Sequence, residues 1–243
     1  KGEVTSRPYI EMTLSILKRL GIACSFEGSS IYILNAPALQ TQTQTVESDW
    51  SSASYFYSLV ALSDNARITL GRYFKNSLQG DSALVSIYKK LGVSTIFNTE
   101  GGTISLSKNN LRLKKEHHFN LKNTPDIAQT LAVSCFGLGA GCRLTGLHTL
   151  KIKETDRLLA LATELTKLGA AVTVTQNSLE LQPSKKIVPN TAIATYNDHR
   201  MAMAFAPLAQ KVPLTVMGAS VVSKSFPNFW AAMAKAGLQV TQK

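Results

Sequence analysis

LSILKRLGIACSF (14–26), VSIYKKLGVSTIF (85–97), LATELTKLGAAVTV (161–174) and WAAMAKAGLQVT (230–241) are four versions of one pattern. Each holds an amphipathic run, a basic residue, an apolar or small residue, a glycine and then an alternating apolar stretch. The glycines are Gly21, Gly92, Gly169 and Gly237, at intervals of 71, 77 and 68 residues. The pattern predicts a helix ended by a left-handed glycine just past its last turn, with a strand directly after it. Lys18, Arg19, Lys89, Lys90, Lys167 and Lys235 fall in the last helical turns, where a base suits the negative end of the helix dipole. A spacing of this length exceeds that of helical-repeat arrays and predicts repeated α/β units of several elements each.

Working outward, each unit contains a further helix. ESDWSSASYFYSLVAL (47–62) offers Asp49 or Ser48 as a cap and an apolar stripe at Tyr55, Leu59 and Leu62. TPDIAQTLAVSCFGLG (124–139) starts with Thr124 as cap and Pro125 at the first helical position. YNDHRMAMAFAPLAQ (196–210) starts with Asn197 or Asp198 as cap. Strand-like runs follow at 66–70, 142–145 and 212–216, with further strand material at 103–106 and 178–181. Strands alternating with helices predict an α/β (α+β) fold of repeated βαβαββ-type units.

The 243 residues are 44% hydrophobic and 17% charged, a globular composition rather than a disordered or fibrous one. No apolar run approaches the ~20 residues of a membrane span, and the opening KGEVTSRPYIEM carries neither an initiator Met nor the apolar core of a signal peptide, which suits a start inside a longer protein. Lys and Arg number 26 against 15 Asp and Glu, for a net charge of +11. Residues 1–48 carry four bases and four acids, while residues 49–243 carry 22 and 11. That shift marks a candidate domain boundary, preceded by a polar, uncharged, Thr/Gln-rich stretch at 36–45 that reads as an exposed strand or a connector. Cys24, Cys135 and Cys142 are odd in number and lack C-x-x-C spacing, so they read as small buried side chains in a reducing cytoplasm.

The informative charges sit at helix starts. In KIKETDR (151–157), five of seven residues are ionisable, and Arg157 falls in or near the first turn of a helix spanning 158–168. A base there opposes the positive end of the helix dipole, and an anion bound at the helix start reverses that sign. NDHR (197–200) places Arg200 the same way, SKSFP (223–227) puts Lys224 just before the fourth segment's helix with Pro227 near its first position, and SRPY (6–9) and KNSLQGD (75–81) occupy the equivalent places in the first two repeats. If the units pack side by side, Arg157, Arg200 and Lys224 line one surface suited to phosphate or carboxylate groups. Each of these starts can also be read as local capping plus a weak surface ion pair, Asp198 as a simple cap among them.

Candidate acid–base groups lie in the same turns: Asp126, Glu154 beside Lys153 and Arg157, and His199 beside Arg200. Carboxylates among cations have lowered pKa values and suit a base better than an acid. His199 can equally be a cap or a packing side chain. His117 and His118 read as a polar loop, and no metal-ligand spacing joins the histidines, so no metal site and no cofactor is expected. Gly137, Gly139 and Gly141 follow a helix, the wrong context for a dinucleotide loop. Trp50 and Trp230 read as packing residues, and sparse aromatics with no block of five bases argue against nucleic acid as the partner.

KETDR (153–157), YNDHRMAM (196–203), SDWSSASYF (48–56), KNSLQGD (75–81), TPDIAQT (124–130) and SKSFP (223–227) together resemble the 3-phosphoshikimate 1-carboxyvinyltransferase (EPSP synthase) family, in that family's order. The resemblance covers only the C-terminal part of the family's usual length. It implies an enolpyruvyl transferase-like two-domain fold, incomplete here, each domain holding three similar units around inward helices. On that map residues 1–48 are the last unit of the second domain and residues 49–243 form the domain carrying the phosphoenolpyruvate side of the cleft. The implied reaction transfers the enolpyruvyl group of phosphoenolpyruvate to the 5-hydroxyl of shikimate 3-phosphate, in the cytoplasm, by a protein monomeric at full length. Arg157, Arg200 and Lys224 are implied to hold phosphoenolpyruvate. Ser6, Tyr9, Asp126, Thr149 and Lys153 are implied to contact shikimate 3-phosphate, with Asp126 the proton acceptor, Glu154 a second proton-transfer group and His199 its support. Thr149 stands where the family often has Asn, and SRPY keeps Ser6 and Tyr9 of the family's SKPY. The nearest other reading is a UDP-N-acetylglucosamine enolpyruvyl transferase, against which KETDR and NDHR weigh. A chain with only one side of the cleft is expected to turn over little or nothing alone.

Overall fold

The structure, a computed structural model, describes residues 4, 7–35, 38, 41 and 43–242. Its elements run α1 (Arg7–Arg19), β1 (Ala23–Glu27), β2 (Ser30–Asn35), α2 (Trp50–Leu62), β3 (Arg67–Gly71), α3 (Leu84–Lys89), β4 (Val93–Asn98), β5 (Thr103–Lys108), β6 (Glu116–Asn120), α4 (Ala128–Gly137), β7 (Gly141–Thr145), α5 (Arg157–Lys167), β8 (Val172–Val174), β9 (Ser178–Leu181), β10 (Thr191–Ile193), α6 (His199–Phe205), β11 (Leu214–Val216) and α7 (Phe229–Lys235). The order helix, strand, helix repeats as α2–β3–α3, α4–β7–α5 and α6–β11–α7, with a short 3₁₀ segment before each second helix. This is an α/β architecture of repeated units.

All four repeat glycines are left-handed, at φ 82, 83, 93 and 101° for Gly21, Gly92, Gly169 and Gly237. Strands follow the first three of them, but residues 238–242 after Gly237 form none, against the expectation from the pattern. Leu238 still buries while Val240 is exposed, and among the described residues no sheet edge pairs with them.

The strands form hairpin β1–β2, a β3–β5–β4 sheet, a β6–β7–β9–β8 sheet and the pair β10–β11. β6 runs parallel to β7 and β10 parallel to β11. Each of these pairs is joined through a helix, α4 or α6, as parallel neighbours require. α2, α4 and α6 are the inner helices: nearly every residue in them is buried, including serines and threonines. A helix apolar or small on all sides can bury all sides. The buried hydroxyls satisfy one another, Ser54 donating to Thr130 at 3.2 Å and Ser134 to Ser58 at 2.8 Å. Gly137 lets α4 end against its neighbours, since a Cβ there would lie 2.5 Å from Leu62 Cδ2 and 2.9 Å from Leu208 Cδ1. The core cluster runs from Trp50 to Leu238, and Leu14 and Cys24 are buried outside it. All three thiols are buried.

Several boundaries differ from the sequence reading. The third inner helix ends at Phe205 and continues as a 3₁₀ segment, Ala206–Gln210, because Pro207 lacks the N–H that α-helix would use. Pro213 likewise delays β11 to Leu214. His117 and His118 belong to β6, not to a loop. Pairing with β7 imposes an alternation that turns His117 inward, stacked on Phe119 at 5.8 Å. Of the 36–45 stretch, the described residues have no regular secondary structure. No helix among the described residues is long and apolar enough to cross a membrane.

Candidate active site

The 3₁₀ turn leading into α4 and the starts of α5 and α6 meet at one place, and Arg157 is its centre. It is the first residue of α5, after the cap Asp156, which accepts the Leu159 N–H at 3.0 Å. Its side chain is 2% exposed, so the guanidinium depends on its partners. Asp198, itself fully buried, takes Arg157 Nε at 2.6 Å and Nη2 at 3.4 Å, a bidentate grip. Asp126 accepts from Arg157 Nη1 at 3.1 Å and Glu154 from Nη2 at 2.6 Å.

The other bases attach to the same acids. Arg200 Nη2 donates to Asp126 at 3.2 Å, and Lys153 Nζ lies 3.5 Å from Asp126 Oδ1. Lys224 Nζ donates to Glu154 Oε1 at 2.8 Å. Asp198 also caps α6 through the Arg200 N–H at 2.8 Å. Lys153, Arg157, Arg200 and Lys224 therefore face Asp126, Glu154 and Asp198, an excess of one positive charge held in fixed geometry.

The titrations follow from this. Burial alone would raise Asp126, but Arg200, Lys153 and Arg157 outweigh it and hold the carboxyl below its ordinary value. For Glu154, burial is again opposed, by the Lys224 hydrogen bond and then by its own backbone N–H and Arg157, and the carboxyl falls to about 2. Both are ionised at neutral pH and able to accept a proton. His199 is lowered, by burial first and Arg200 next, and so is a neutral imidazole at neutral pH. Its Nδ1 lies 3.8 Å from both Glu154 Oε1 and Asp198 Oδ1, with no hydrogen-bond partner among the described residues.

Seven expected residues, Asp126, Lys153, Glu154, Arg157, His199, Arg200 and Lys224, thus come together. Tyr9 on α1 borders them: its phenol is raised by burial and then by Asp81 and Asp126, and it remains a donor. Thr149 stands on the 3₁₀ turn His148–Ile152 outside this ion-pair network, its hydroxyl buried with no partner among the described residues. Ser6 lies outside the described residues. Thr124 is not a side-chain cap; its hydroxyl donates to Asp81, a buried carboxylate that also takes Ser51 and is raised by burial. Pro125 does open that turn. Lys224 ends a 3₁₀ segment, and α7 begins only at Phe229, beyond Pro227.

Asp198 is the residue whose role the sequence understated. Its capping was legible, but its grip on Arg157 joins residues 41 positions apart. One atom each of Glu154, Asp198 and His199 lies within 4.8 Å of the others, close enough for a metal ion. Arg157 already occupies both carboxylates, so a cation there would sit against a guanidinium and the Lys224 ammonium.

The fold is that of the enolpyruvyl transferases. The crystal structure of the enolpyruvyl transferase NikO from Streptomyces tendae superposes with a TM-score of 0.63 at 15% identity, over 99% of this chain and 55% of that one. A structure of EPSP synthase from Acinetobacter baumannii superposes with a TM-score of 0.76 at 25% identity, over 95% of this chain and 55% of that one. Residues 1–233 match the family EPSP synthase (3-phosphoshikimate 1-carboxyvinyltransferase), and the chain belongs to that family. A 3-phosphoshikimate 1-carboxyvinyltransferase from Bacteroides fragilis is 40% identical over 242 residues, 98% of this chain and 58% of the relative. One from Neisseria meningitidis is 32% identical over 234 residues, 94% of this chain and 53% of the relative. The chain spans a little over half the length of the curated relatives it matches.

Proposed function

We propose that this chain supplies the phosphoenolpyruvate-binding side of an enzyme that transfers an enolpyruvyl group to the 5-hydroxyl of shikimate 3-phosphate and releases phosphate. The observation that carries the reading is the set of bases anchored at three neighbouring segment ends, with Arg157 gripped by Asp198 and Arg200 by Asp126. Two anionic substrates repel each other, and fixed cations offset that repulsion without reorganising.

In this reading Arg157, Arg200 and Lys224 bind phosphoenolpyruvate, with Lys224, the most exposed of them, closing on its anionic groups. Lys153, Tyr9, Thr149 and Ser6 contact shikimate 3-phosphate, the free Thr149 hydroxyl being available for a substrate hydrogen bond. Asp126, ionised, accepts the 5-hydroxyl proton as that oxygen attacks the enol carbon. Glu154 serves proton transfer at the enolpyruvyl carbons, with neutral His199 beside it. Residues 1–48 belong to the second domain of the complete fold and residues 49–243 to the first, a division supported by the charge break and by a core that begins at Trp50. The reaction needs no metal or cofactor, and the complete protein is a cytoplasmic monomer.

The test is phosphate release from phosphoenolpyruvate and shikimate 3-phosphate. It is measured with this chain alone and with the N-terminal part of the Bacteroides fragilis relative added as a separate polypeptide. The expected result is little or no release alone and clear release from the pair. Full activity from the chain alone contradicts the two-sided cleft, and release with UDP-N-acetylglucosamine in place of shikimate 3-phosphate contradicts the acceptor.

A further inference from the structure

The turn that leads into α6 is built against its own backbone preference. Thr195 to Asp198 form a β-turn closed by the Asp198 N–H on the Thr195 carbonyl at 2.8 Å. Both central residues are left-handed, Tyr196 at φ 53° and Asn197 at φ 56°. Among the described residues the other non-glycine positions of that kind are Arg72 and Asn190, each isolated. Turns with two left-handed central residues favour Asn or Asp followed by Gly, and a bulky Tyr fits the first position poorly. Such a backbone persists only where its surroundings over-determine it.

Glu164 of α5 is the main element of those surroundings. Its carboxylate is fully buried, an expensive placement that an amphipathic helix does not need for packing. Oε1 accepts the Tyr196 phenol at 2.6 Å and Oε2 the Ala194 N–H at 3.1 Å, and Lys167 Nζ closes over both oxygens at 2.7 and 2.8 Å. From the other flank Thr195 Oγ1 donates to the Met217 carbonyl at 2.9 Å. The residue leaving the turn is Asp198, which grips Arg157 and caps the helix carrying Arg200.

We propose that Glu164 is a positioning residue for the anion site: by holding Tyr196 and Ala194 it keeps the Thr195–Asp198 turn left-handed and so sets where Asp198 and Arg200 stand. The inference rests on the reading that these bases bind phosphoenolpyruvate.

The test is calorimetric titration of phosphoenolpyruvate into the 243-residue chain, its Glu164→Ala, Tyr196→Phe and Asn197→Gly variants, and the Glu164→Ala/Asn197→Gly double variant, each checked for folding by thermal melting. Glu164→Ala is expected to weaken binding about tenfold, the scale of a small misplacement in a preorganised site, and Tyr196→Phe by less. Asn197→Gly alone is expected to keep parent affinity. In the double variant it restores most of the loss, because glycine takes positive φ without strain. A purely structural role for Glu164 would lower the melting temperature without being cured at Asn197, with which it shares no hydrogen bond among the described residues. Parent affinity in Glu164→Ala, or a folded double variant as weak as Glu164→Ala, overturns the proposal. If Glu164→Ala does not fold, parent affinity in Tyr196→Phe overturns it. Failure of the parent chain to bind overturns the anion-site reading itself and this proposal with it, and so is distinct from a parent that binds and a Glu164→Ala variant that binds equally.

Discussion

The starts of α2 and α6 are one piece of architecture carrying two chemistries. Asp49 caps α2 through the Ser51 and Ser52 N–H groups, and Asp198 caps α6 through that of Arg200. Asp49 accepts only from neutral donors among the described residues, the Ser51 and Ser52 N–H groups and the Ser52 hydroxyl. Glu47, next to this cap, accepts from Trp50 Nε1 at 2.9 Å, the Phe74 N–H at 3.1 Å, Ser77 Oγ at 2.6 Å and Gln79 Nε2 at 3.1 Å. Asp198 instead holds the guanidinium of Arg157 from another unit, besides the Arg200 backbone N–H. The repeat dictates where an inner helix begins, and it leaves open whether that start is a clamp or a cage for anions. The difference teaches that the same capping position can be stabilised by neutral donors alone or tied to a buried guanidinium from another unit, and only the second arrangement gathers further bases around it.

The largest effect that would break this comparison is expected from Arg157→Ala. It leaves the fully buried Asp198 unpaired, which should cost about 3–5 kcal/mol in chemical unfolding. It should also abolish phosphoenolpyruvate binding. A stable variant that still binds would remove Arg157 from both the buried network and the anion site. Next in size is Glu47→Ala, which strips the acceptor from four donors around the start of α2. It should lose about 2–3 kcal/mol of stability while keeping parent affinity for phosphoenolpyruvate. Weakened binding in a folded Glu47→Ala variant would erase the distinction between the two starts.

Much of this contrast was legible in the sequence. The glycine that ends each outer helix, the bases at 157, 200 and 224, and the acids at 126 and 154 all stand in local patterns whose physics is local. What was not legible depends on distance along the chain or on pairing. Asp198 looked like a cap because its second function needs α5, and Thr124 looked like a cap because Asp81 lies 43 residues away. His117 and His118 read as loop because Glu-His-His lacks strand composition; pairing with β7 supplies the alternation instead. The missing strand after Gly237 is the reverse case, a correct local pattern with no partner edge among the described residues.

A smaller effect sharpens the electrostatic side. The folded Glu154 carboxyl is held at about 2, below its ordinary 4.5. Its stabilisation is therefore complete above the ordinary value and is lost as pH falls toward about 2. Glu154→Gln should flatten the acid limb of a stability-versus-pH curve across that window. An unchanged limb would mean that pairing with Lys224 and Arg157 contributes nothing to it. The smallest stability effect is expected from Lys224→Ala. Its side chain is 56% exposed, so stability should move by no more than about 0.5 kcal/mol. Binding of phosphoenolpyruvate should nevertheless weaken about tenfold, since a charge-assisted contact is lost. Equal binding in Lys224→Ala would remove that residue from the site.

The central claim is that these bases wait for an anion. A crystal structure of the chain with phosphoenolpyruvate tests it most directly. The expected result is the ligand's phosphate and carboxylate within about 3 Å of Arg157, Arg200 and Lys224, with Asp198 still on Arg157. A ligand bound instead at other bases, such as Lys89 and Lys90, with Arg200 still on Asp126 and Lys224 still on Glu154, would contradict it.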